Sequence, residues 1–413
     1  MIVSDLAVET LRSLRAHALR FTLTSLGILW GAFMLTYALA TMQGLDGHFR
    51  RAIEATGPRI VYLFPGVLVK ERVGERGARP LELEAPDVAR MAGYESVEHA
   101  SPNLVLWNQI VRGGGRTKLL TVFGVAPEAL AIRNFTVAEG RFLEAQDVAT
   151  AERVAFLGAE AAERLFGGRQ ALGRSLQIEG HGFRVCGVAV AKGEQLVGMG
   201  GKDDQAVLVP YTTAQRWLTR SDDVTQVVFS PVTRERSFEA MARIREVLGL
   251  HHRFAPSLDT TVSFVNIHEV LLILDNLFFG LRLFMVAAGL ITLLVGAVSV
   301  MNIMLVVVAE RTREIGLRKA VGAPGGAIFR AFLAEAASVC VLAGALGAAL
   351  GIGLAELVAS RTDPGEGVIS PPQVEPAMIL ALVGVLVAVG IAAGVLPAWR
   401  AARIPPAEAL RSH

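Results

Sequence analysis

The chain has 413 residues, of which 52% are hydrophobic and 19% are charged. Soluble domains carry about 25% charged residues, so this composition argues against a purely water-soluble protein. The net charge of +2 gives no basis for nucleic-acid binding.

The first 20 residues predict an amphipathic cytoplasmic helix that lies on the inner leaflet of a membrane. Ser4 is the predicted N-cap, with Asp5 and Glu9 near the start and arginines near the end, as the helix dipole favours. Apolar residues recur at helical spacing between them. A cytoplasmic segment with no membrane role is the simpler alternative.

Four stretches contain no charged residue, and each has about the 20 residues that a helix needs to cross the hydrocarbon core. They are residues 21–42, 283–309, 336–355 and 377–399. The first is longer than the apolar part of a signal peptide, which favours an uncleaved anchor. We predict transmembrane helices at 21–42, within 267–309, at 328–358 and at 377–399.

The short segments that flank these helices predict their orientation. Basic residues are concentrated before the first helix, between the second and third, and after the fourth: Arg12, Arg15, Arg20, Arg311, Arg313, Arg318, Lys319, Arg330, Arg400, Arg403 and Arg411. The loop at 359–376 instead carries mainly acidic residues. The positive-inside rule therefore predicts that both termini, the 310–327 loop and the 400–413 tail are cytoplasmic.

Residues 57–266 then form an exported domain. Short β-branched and aromatic runs alternate with segments of helical spacing, and residues 175–190 predict a hairpin with its turn at 179–182. Charged but helical segments on either side, up to about residue 56 and from 267, predict stalks that extend the first two membrane helices. The predicted fold class is an α-helical membrane protein with four transmembrane helices and a large α+β extracytoplasmic domain between helices 1 and 2.

The third predicted helix carries small residues and one carboxylate. Gly344, Gly347 and Gly351 allow close helix packing, either within the chain or between two chains. Glu335 lies inside the apolar run, where a charge is costly unless it is paired or faces a cavity. We favour a structural ion pair with a basic residue on the cytoplasmic side over a gating or substrate-binding role.

The stretch 309–326, AERTREIGLRKAVGAPGG, places a dense group of charges directly after an apolar helix. Glu314 and Arg318 are four residues apart with the acid first, Leu317 and Val321 share one side, and Gly322 ends the helix. This pattern fits a helix that docks a cytoplasmic partner. A purely topological anchor is the alternative, although it requires neither matched acids nor an apolar strip.

The sequence contains no pattern that indicates an enzyme active site or a cofactor. It lacks a phosphate-binding GxxxxGK[ST] loop, an HExxH pair, a CxxC pair and a GxSxG elbow. His251 and His252 are consecutive and are expected to point in different directions, which argues against a metal site. Cys186 and Cys340 fall on opposite sides of the predicted membrane boundary, so we expect no disulfide between them.

Several motifs in order resemble the FtsX-like permease superfamily, most closely its MacB branch. They include VSVMNIMLVVVAERTREIGLRKAVGA (298–323), GRFLEAQDV (140–148), the third helix around Glu335, and LPAWRAARIPPAEALR (396–411). The resemblance covers nearly the whole chain and implies that the exported domain is a periplasmic core domain. MacB itself has an ATPase domain ahead of its first helix, whereas about 20 residues precede it here, so we expect a permease subunit that recruits a separate ATPase.

The resemblance implies a bacterial inner-membrane ABC transporter permease that pairs with a second permease chain and transmits ATP-driven movement to the periplasm for export or efflux. ATP and magnesium are expected in the partner ATPase, and a periplasmic adaptor and an outer-membrane channel are further expected partners. By position, the expected ATPase contacts are Glu310, Arg311, Arg313, Glu314, Arg318 and Lys319. Two alternatives keep the architecture: a lipoprotein-releasing permease of the Lol type, and signalling to a cell-wall hydrolase in the manner of FtsX.

Overall fold

The chain forms two compact units, each with its own clusters of buried apolar side chains. One unit comprises residues 1–48 and 276–413, and the other is Phe49–Asp275. The computed structural model describes residues 18–72, 75–167, 170–195, 198, 201–256, 260–361, 372 and 375–409.

The helices of the described residues are, in chain order, α1 (Ala18–Glu54), α2 (Ala85–Met91), α3 (Ala129–Ile132), α4 (Ala145–Thr150), α5 (Ala159–Phe166), α6 (Tyr211–Thr213), α7 (Ser237–His252), α8 (Ile267–Glu310), α9 (Thr312–Ala320), α10 (Gly325–Arg361), α11 (Pro376–Arg403) and α12 (Pro406–Ala409). The strands are β1 (Val61–Pro65), β2 (Val67–Arg72), β3 (Glu75–Pro80), β4 (Val97–Gly113), β5 (Arg116–Val125), β6 (Val137–Gly140), β7 (Val154–Leu157), β8 (Ser175–Ile178), β9 (His181–Ala189), β10 (Val207–Pro210), β11 (Gln226–Pro231) and β12 (Val262–Asn266).

Among the described residues, four helices are long and apolar enough to cross a membrane: α1, α8, α10 and α11. They contain the four uncharged stretches, so the predicted set of spanning helices is confirmed. Both α1 and α8 continue past those stretches, and α8 is one helix of 44 residues, about 66 Å long at 1.5 Å per residue. The predicted amphipathic helix falls outside the described residues except for 18–20, which belong to α1. Most of the predicted 359–376 loop also falls outside the described residues.

Glycines set the packing of α10 against α1. A Cβ atom added to Gly347 would lie 2.2 Å from the carbonyl oxygen of Leu29, and one added to Gly351 would lie 2.9 Å from that of Phe33. The two backbones therefore approach more closely than any side chain larger than hydrogen permits. Within this chain, these glycines serve contact between neighbouring spanning helices.

The pair α10 and α11 packs in the same way. A Cβ atom at Gly344 would lie 2.3 Å from the side chain of Leu386. On α11, a Cβ atom at Gly390 would lie 2.9 Å from the Cα atom of Ala337. The contribution of α11 was not predicted, because a glycine in an apolar run gives no sign of which helix it will meet.

The sheet unit contains one mixed sheet of ten strands among the described residues, in the order β12-β1-β11-β4-β5-β10-β7-β9-β6. The remaining strand, β8, pairs with both β4 and β9. The pairing therefore closes into a ring of six strands: β4, β5, β10, β7, β9 and β8. Each of the six has a hydrogen-bonded neighbour on both sides, so none is an edge strand of the ring. Strands β2 and β3 form a separate hairpin.

The mixed α and β content confirms the predicted fold class of this unit. The 175–190 hairpin is present as β8 and β9, and its turn is Glu179–Gly180, both with positive φ, so the predicted four-residue turn was too long. The longest strand, β4, was not predicted, because Pro102 and the positive-φ residue Asn108 interrupt its alternation. A register shift between Leu106 and Gln109 accommodates that interruption.

Candidate functional site

Helix α9 is the charged segment between α8 and α10, and local chemistry defines both of its ends. The chain breaks from α8 at Arg311, and the Thr312 hydroxyl donates to the backbone carbonyl of Ala309 at 2.8 Å. Glu314 lies in the first turn and Arg318 in the last, which suits the helix dipole. Gly322, with φ of 98°, ends the segment.

One face of α9 is buried against the C-terminal segment of the chain. The side chain of Ile315 is 2% exposed, and a Cβ atom at Gly316 would lie 2.4 Å from the Cβ atom of Ala409 in α12. The Lys319 ammonium group donates to the backbone carbonyls of Ala402 and Ile404, at 2.5 and 2.9 Å. These contacts fix the orientation of α9 about its own axis.

The opposite face of α9 is exposed and combines apolar with charged side chains. Leu317 is 58% exposed and Val321 is 84% exposed. Arg313 is exposed, and Arg318 donates to Glu314 at 2.7 Å across one helical turn. An apolar centre with a charged rim is the composition of a protein-docking surface. We call Arg313, Glu314, Leu317, Arg318 and Val321 the docking face.

The six residues expected to contact an ATPase therefore separate into two groups. Glu310, Arg313, Glu314 and Arg318 are exposed, whereas Lys319 is engaged with the C-terminal segment and Arg311 with α10. Their role in partner contact stays a prediction. Sequence reasoning missed Gly316, whose position in mid-helix was a signal of close backbone approach.

The carboxylate of Glu335 in α10 is paired with Arg311, which lies between α8 and α9. Both of its oxygens lie 3.5 Å from a terminal nitrogen of Arg311, and its side chain is 12% exposed. An ion pair offsets part of the cost of removing each charge from water. The predicted ion pair between Glu335 and a basic residue has this geometry. Whether Glu335 has a structural or a gating role stays a prediction.

The sheet unit carries a second polar cluster, which is buried where the extension of α1 ends. Asp203 accepts hydrogen bonds from Arg133 and Lys192, both at 2.7 Å, and all three side chains are at most 7% exposed. Gln195 donates to Asp203 and also to the backbone carbonyl of Ala55, directly after α1. The cluster thus ties the end of that helix to the sheet unit.

The neighbouring basic side chains favour the ionised form of Asp203. Burial would raise the pKa of Asp203, but the charges of Arg133 and Lys192 outweigh it and hold that pKa below its ordinary value. Burial lowers the pKa of Lys192, against the opposing effect of Asp203. Because two cations share one carboxylate, loss of Asp203 would leave both buried without it.

The segment GRFLEAQDV (140–148) contains an ion pair, a helix cap and a closely packed glycine. Arg141 donates two hydrogen bonds to the carboxylate of Asp147, at 2.6 and 2.9 Å. Asp147 also accepts from the backbone N–H of Glu144 at 2.8 Å and so caps α4. Gly140 has φ of 76°, and a Cβ atom there would lie 2.2 Å from the carbonyl oxygen of Cys186.

Both cysteines, Cys186 and Cys340, are free thiols. Burial raises the pKa of the Cys186 thiol to about 11. At neutral pH this thiol is therefore protonated and a poor nucleophile.

The expectation that His251 and His252 point apart was wrong. The Nε2 atom of His252 lies 3.1 Å from Oδ2 of Asp87, and that of His251 lies 3.9 Å from Oδ1. Each ring thus places its Nε2 atom near a different oxygen of the same carboxylate, and the two ring centroids are 5.1 Å apart. The three ligand-type atoms lie within 4.8 Å of one another.

Family models account for most of the chain. Residues 21–247 match the MacB-like periplasmic core domain, and residues 286–406 match the FtsX-like permease C-terminal region. Among curated proteins, the macrolide export ATP-binding/permease protein MacB of Syntrophobacter fumaroxidans is 30% identical, over 97% of this chain and 62% of that protein. The pyoverdine export ATP-binding/permease protein PvdT of Pseudomonas entomophila is 32% identical, over 95% and 57%. The chain thus spans about 60% of the length of these relatives.

Among solved structures, the periplasmic region of MacB from Actinobacillus actinomycetemcomitans matches 54% of this chain and 96% of its own length. The sequence identity is 18% and the TM-score is 0.43.

Proposed function

Because this chain belongs to the FtsX-like permease superfamily and has a MacB-like periplasmic core domain, we propose that it transmits ATP-driven movement across a bacterial inner membrane to drive export. It is a multi-pass ABC transporter permease by family, with four helices among the described residues that can span a membrane. The ATP and magnesium belong, in this proposal, to the ATPase that works with it.

The docking face of α9 is the observation that carries the proposal. The side chains of Leu317 and Val321 are exposed in the described part of the chain, and an apolar side chain in water is unfavourable. The buried face of α9, formed by Ile315, Gly316 and Lys319, holds the helix against the C-terminal segment. Force applied to the docking face would therefore move the adjoining ends of α8 and α10 and would not simply turn α9 about its own axis.

The proposed orientation places the docking face in the cytoplasm. Contacts of α9 with Ile404 and with α12 put the 311–324 segment and residues 400–409 at the same end of the helical unit. Both segments are rich in basic residues, as cytoplasmic segments are.

Movement would reach the exported domain through α1 and α8. Helix α8 runs without a break from Ile267, directly after β12, to Glu310 beside α9. The other helix ends at Glu54, where Ala55 is held by Gln195 of the buried Asp203 cluster. In this mechanism a second permease chain supplies the opposing pair of helices, and an adaptor and an outer-membrane channel receive the cargo.

Small-molecule export is the task that the relatives favour. They are named for the export of macrolides and of pyoverdine, and this chain carries the same type of core domain. Lipoprotein release and signalling to a hydrolase then become outcomes to be tested through the proteins that associate with the exported domain.

The test compares two matched substitutions of an exposed leucine, Leu317→Asp in the docking face and Leu250→Asp in α7, where Leu250 is 82% exposed. Complexes purified from native membranes are assayed for ATP hydrolysis and their components are identified. We expect Leu317→Asp to lower permease-dependent ATP turnover at least tenfold and Leu250→Asp to leave it unchanged. Equal turnover in both variants would reject the docking role.

The proteins that copurify in the same preparation distinguish export from lipoprotein release and from signalling. An adaptor and an outer-membrane channel among the associated proteins would support export. A lipoprotein carrier would support lipoprotein release instead, and a cell-wall hydrolase would support signalling.

A further inference from the structure

Asp87, His251 and His252 form a cluster on the sheet unit that the proposed transport function does not use. Asp87 lies in the first turn of α2, and the two histidines end α7. The carboxylate of Asp87 is 2% exposed, His252 is 18% exposed and His251 is 49% exposed. One side of the cluster is therefore fixed in the protein and the other is open to solvent.

We propose that this cluster binds a divalent transition-metal ion, with Zn²⁺ as the best fit. Two imidazole nitrogens and one carboxylate oxygen form a common ligand set for zinc with one open position. Ligands about 2.0–2.1 Å from a tetrahedral zinc ion lie about 3.3 Å from one another. The Nε2 atom of His252 is 3.1 Å from Oδ2 of Asp87, and the three ligand atoms lie within 4.8 Å of one another, so small side-chain rotations give the required geometry.

The neighbouring Arg90 decides which carboxylate oxygen binds the metal. Its guanidinium donates to Oδ1 of Asp87 at 2.9 Å, while Oδ2 accepts from His252. The ion would bind Oδ2, which also accepts a hydrogen bond from the backbone N–H of Glu84 at 3.1 Å, together with the Nε2 atom of His252. The Nε2 atom of His251, now 3.9 Å from Oδ1, would complete the set after its ring rotates, and Arg90 keeps Oδ1. A carboxylate with one oxygen on the metal and the other in a hydrogen bond is the usual arrangement around zinc.

The consequence is a cross-link between two elements that are distant in sequence. The ion would join the first turn of α2 to the end of α7, which leads through the 253–261 segment to β12. Since α8 begins directly after β12, the metal would stiffen the part of the sheet unit from which that helix departs. The fourth position stays available to water or to a ligand atom from another protein.

The test uses the full-length chain in detergent with an N-terminal tag that contains no histidine. We expect equimolar Zn²⁺ to raise the thermal midpoint of the wild type by several degrees, with about one zinc bound per chain, while Mg²⁺ has no effect. Co²⁺ used in place of zinc should show the visible absorption of a tetrahedral site.

Matched glutamine substitutions separate this site from other histidines. His251→Gln and His252→Gln should each lower the zinc affinity at least tenfold, whereas His181→Gln, at the start of β9, should not. Because His251 is half exposed, its replacement leaves the fold intact even if the His252 variant is unstable. No shift with zinc, or the same shift in the His251→Gln variant, would show that the cluster is only a hydrogen-bonded cap.

Discussion

Lys319 and Ile404 are joined by a hydrogen bond of 2.9 Å from the lysine ammonium group to the backbone carbonyl, although 85 residues separate them. A second bond from the same group reaches Ala402. The lysine therefore holds the docking helix against the C-terminal segment and is turned away from the docking face.

Replacement of Lys319 by methionine should destabilise the protein. The substitution removes two hydrogen bonds from a charged donor and leaves two helix-terminal carbonyls without that partner, a loss of about 2 kcal/mol. The midpoint of thermal unfolding, followed by intrinsic tryptophan fluorescence of the purified chain, should fall by several degrees.

Its neighbour Arg318 provides the control. Arg318 forms an exposed pair with Glu314, and such pairs contribute about 0.3–0.5 kcal/mol. Arg318→Met should leave the midpoint nearly unchanged but lower ATP turnover of the transporter. If both variants unfolded at the same temperature, the division of α9 into a buried face and a docking face would be wrong.

The pair Arg311 and Glu335 should show energetic coupling. Arg311→Met leaves the mostly buried carboxylate of Glu335 without this cation, so it should be more destabilising than the double change to methionine at both positions. A double-mutant cycle of unfolding free energies should give a coupling energy of about 1–3 kcal/mol between the two residues. Additive effects would instead show that the two charges act independently.

Two glycines of α10 should differ in their tolerance of the same substitution. Gly347→Val places a side chain 2.2 Å from the carbonyl oxygen of Leu29, whereas nothing lies within 4 Å of a Cβ atom at Gly353. The yield of monodisperse protein in size-exclusion chromatography should fall several-fold for Gly347→Val alone. A similar loss for Gly353→Val would point to a general intolerance of β-branched residues in this helix.

Asp147 should make stability depend on pH. Its hydrogen bonds from Arg141 hold the pKa of Asp147 below its ordinary value, so the carboxylate stabilises the fold above about pH 4 and loses this effect as the pH falls through the lower pKa of the folded state. Asp147→Asn should reduce the free energy of unfolding by roughly 1.5–3 kcal/mol at pH 7.

That difference between wild type and Asp147→Asn should shrink as the pH falls below about 4, the ordinary pKa of aspartate, and disappear once the carboxylate of the folded protein is protonated. Urea unfolding at several pH values, followed by circular dichroism, measures it. A gap of constant size at every pH would mean that the loss comes from packing and not from charge.

Length and hydropathy alone were enough to predict the spanning helices, because twenty uncharged residues are a signal contained within one segment. The sheet was harder to predict. Its order depends on pairings between segments far apart in the chain, such as β4 with β11, and Pro102 hides the longest strand from a search for alternation.

The docking helix was predictable as an element but not as an oriented surface. Charge spacing and the Gly322 stop define α9 from its own residues. Which side is buried depends on Ala409 and Ile404, which reach it from the end of the chain, so Lys319 was grouped with the exposed charges. Similarly, two consecutive histidines were expected to point in different directions. Their spacing contains no information about Asp87, which comes from another part of the chain and lies beside both rings.

The close contact between Gly316 and Ala409 has a practical consequence for labelling. His413 is four residues beyond Ala409, a reach of at most about 14 Å. A fluorescent protein or affinity tag fused after His413 would therefore stand within reach of the docking face and compete there with an incoming protein. Fusions placed at this end would report a weakened complex that the unmodified chain does not have.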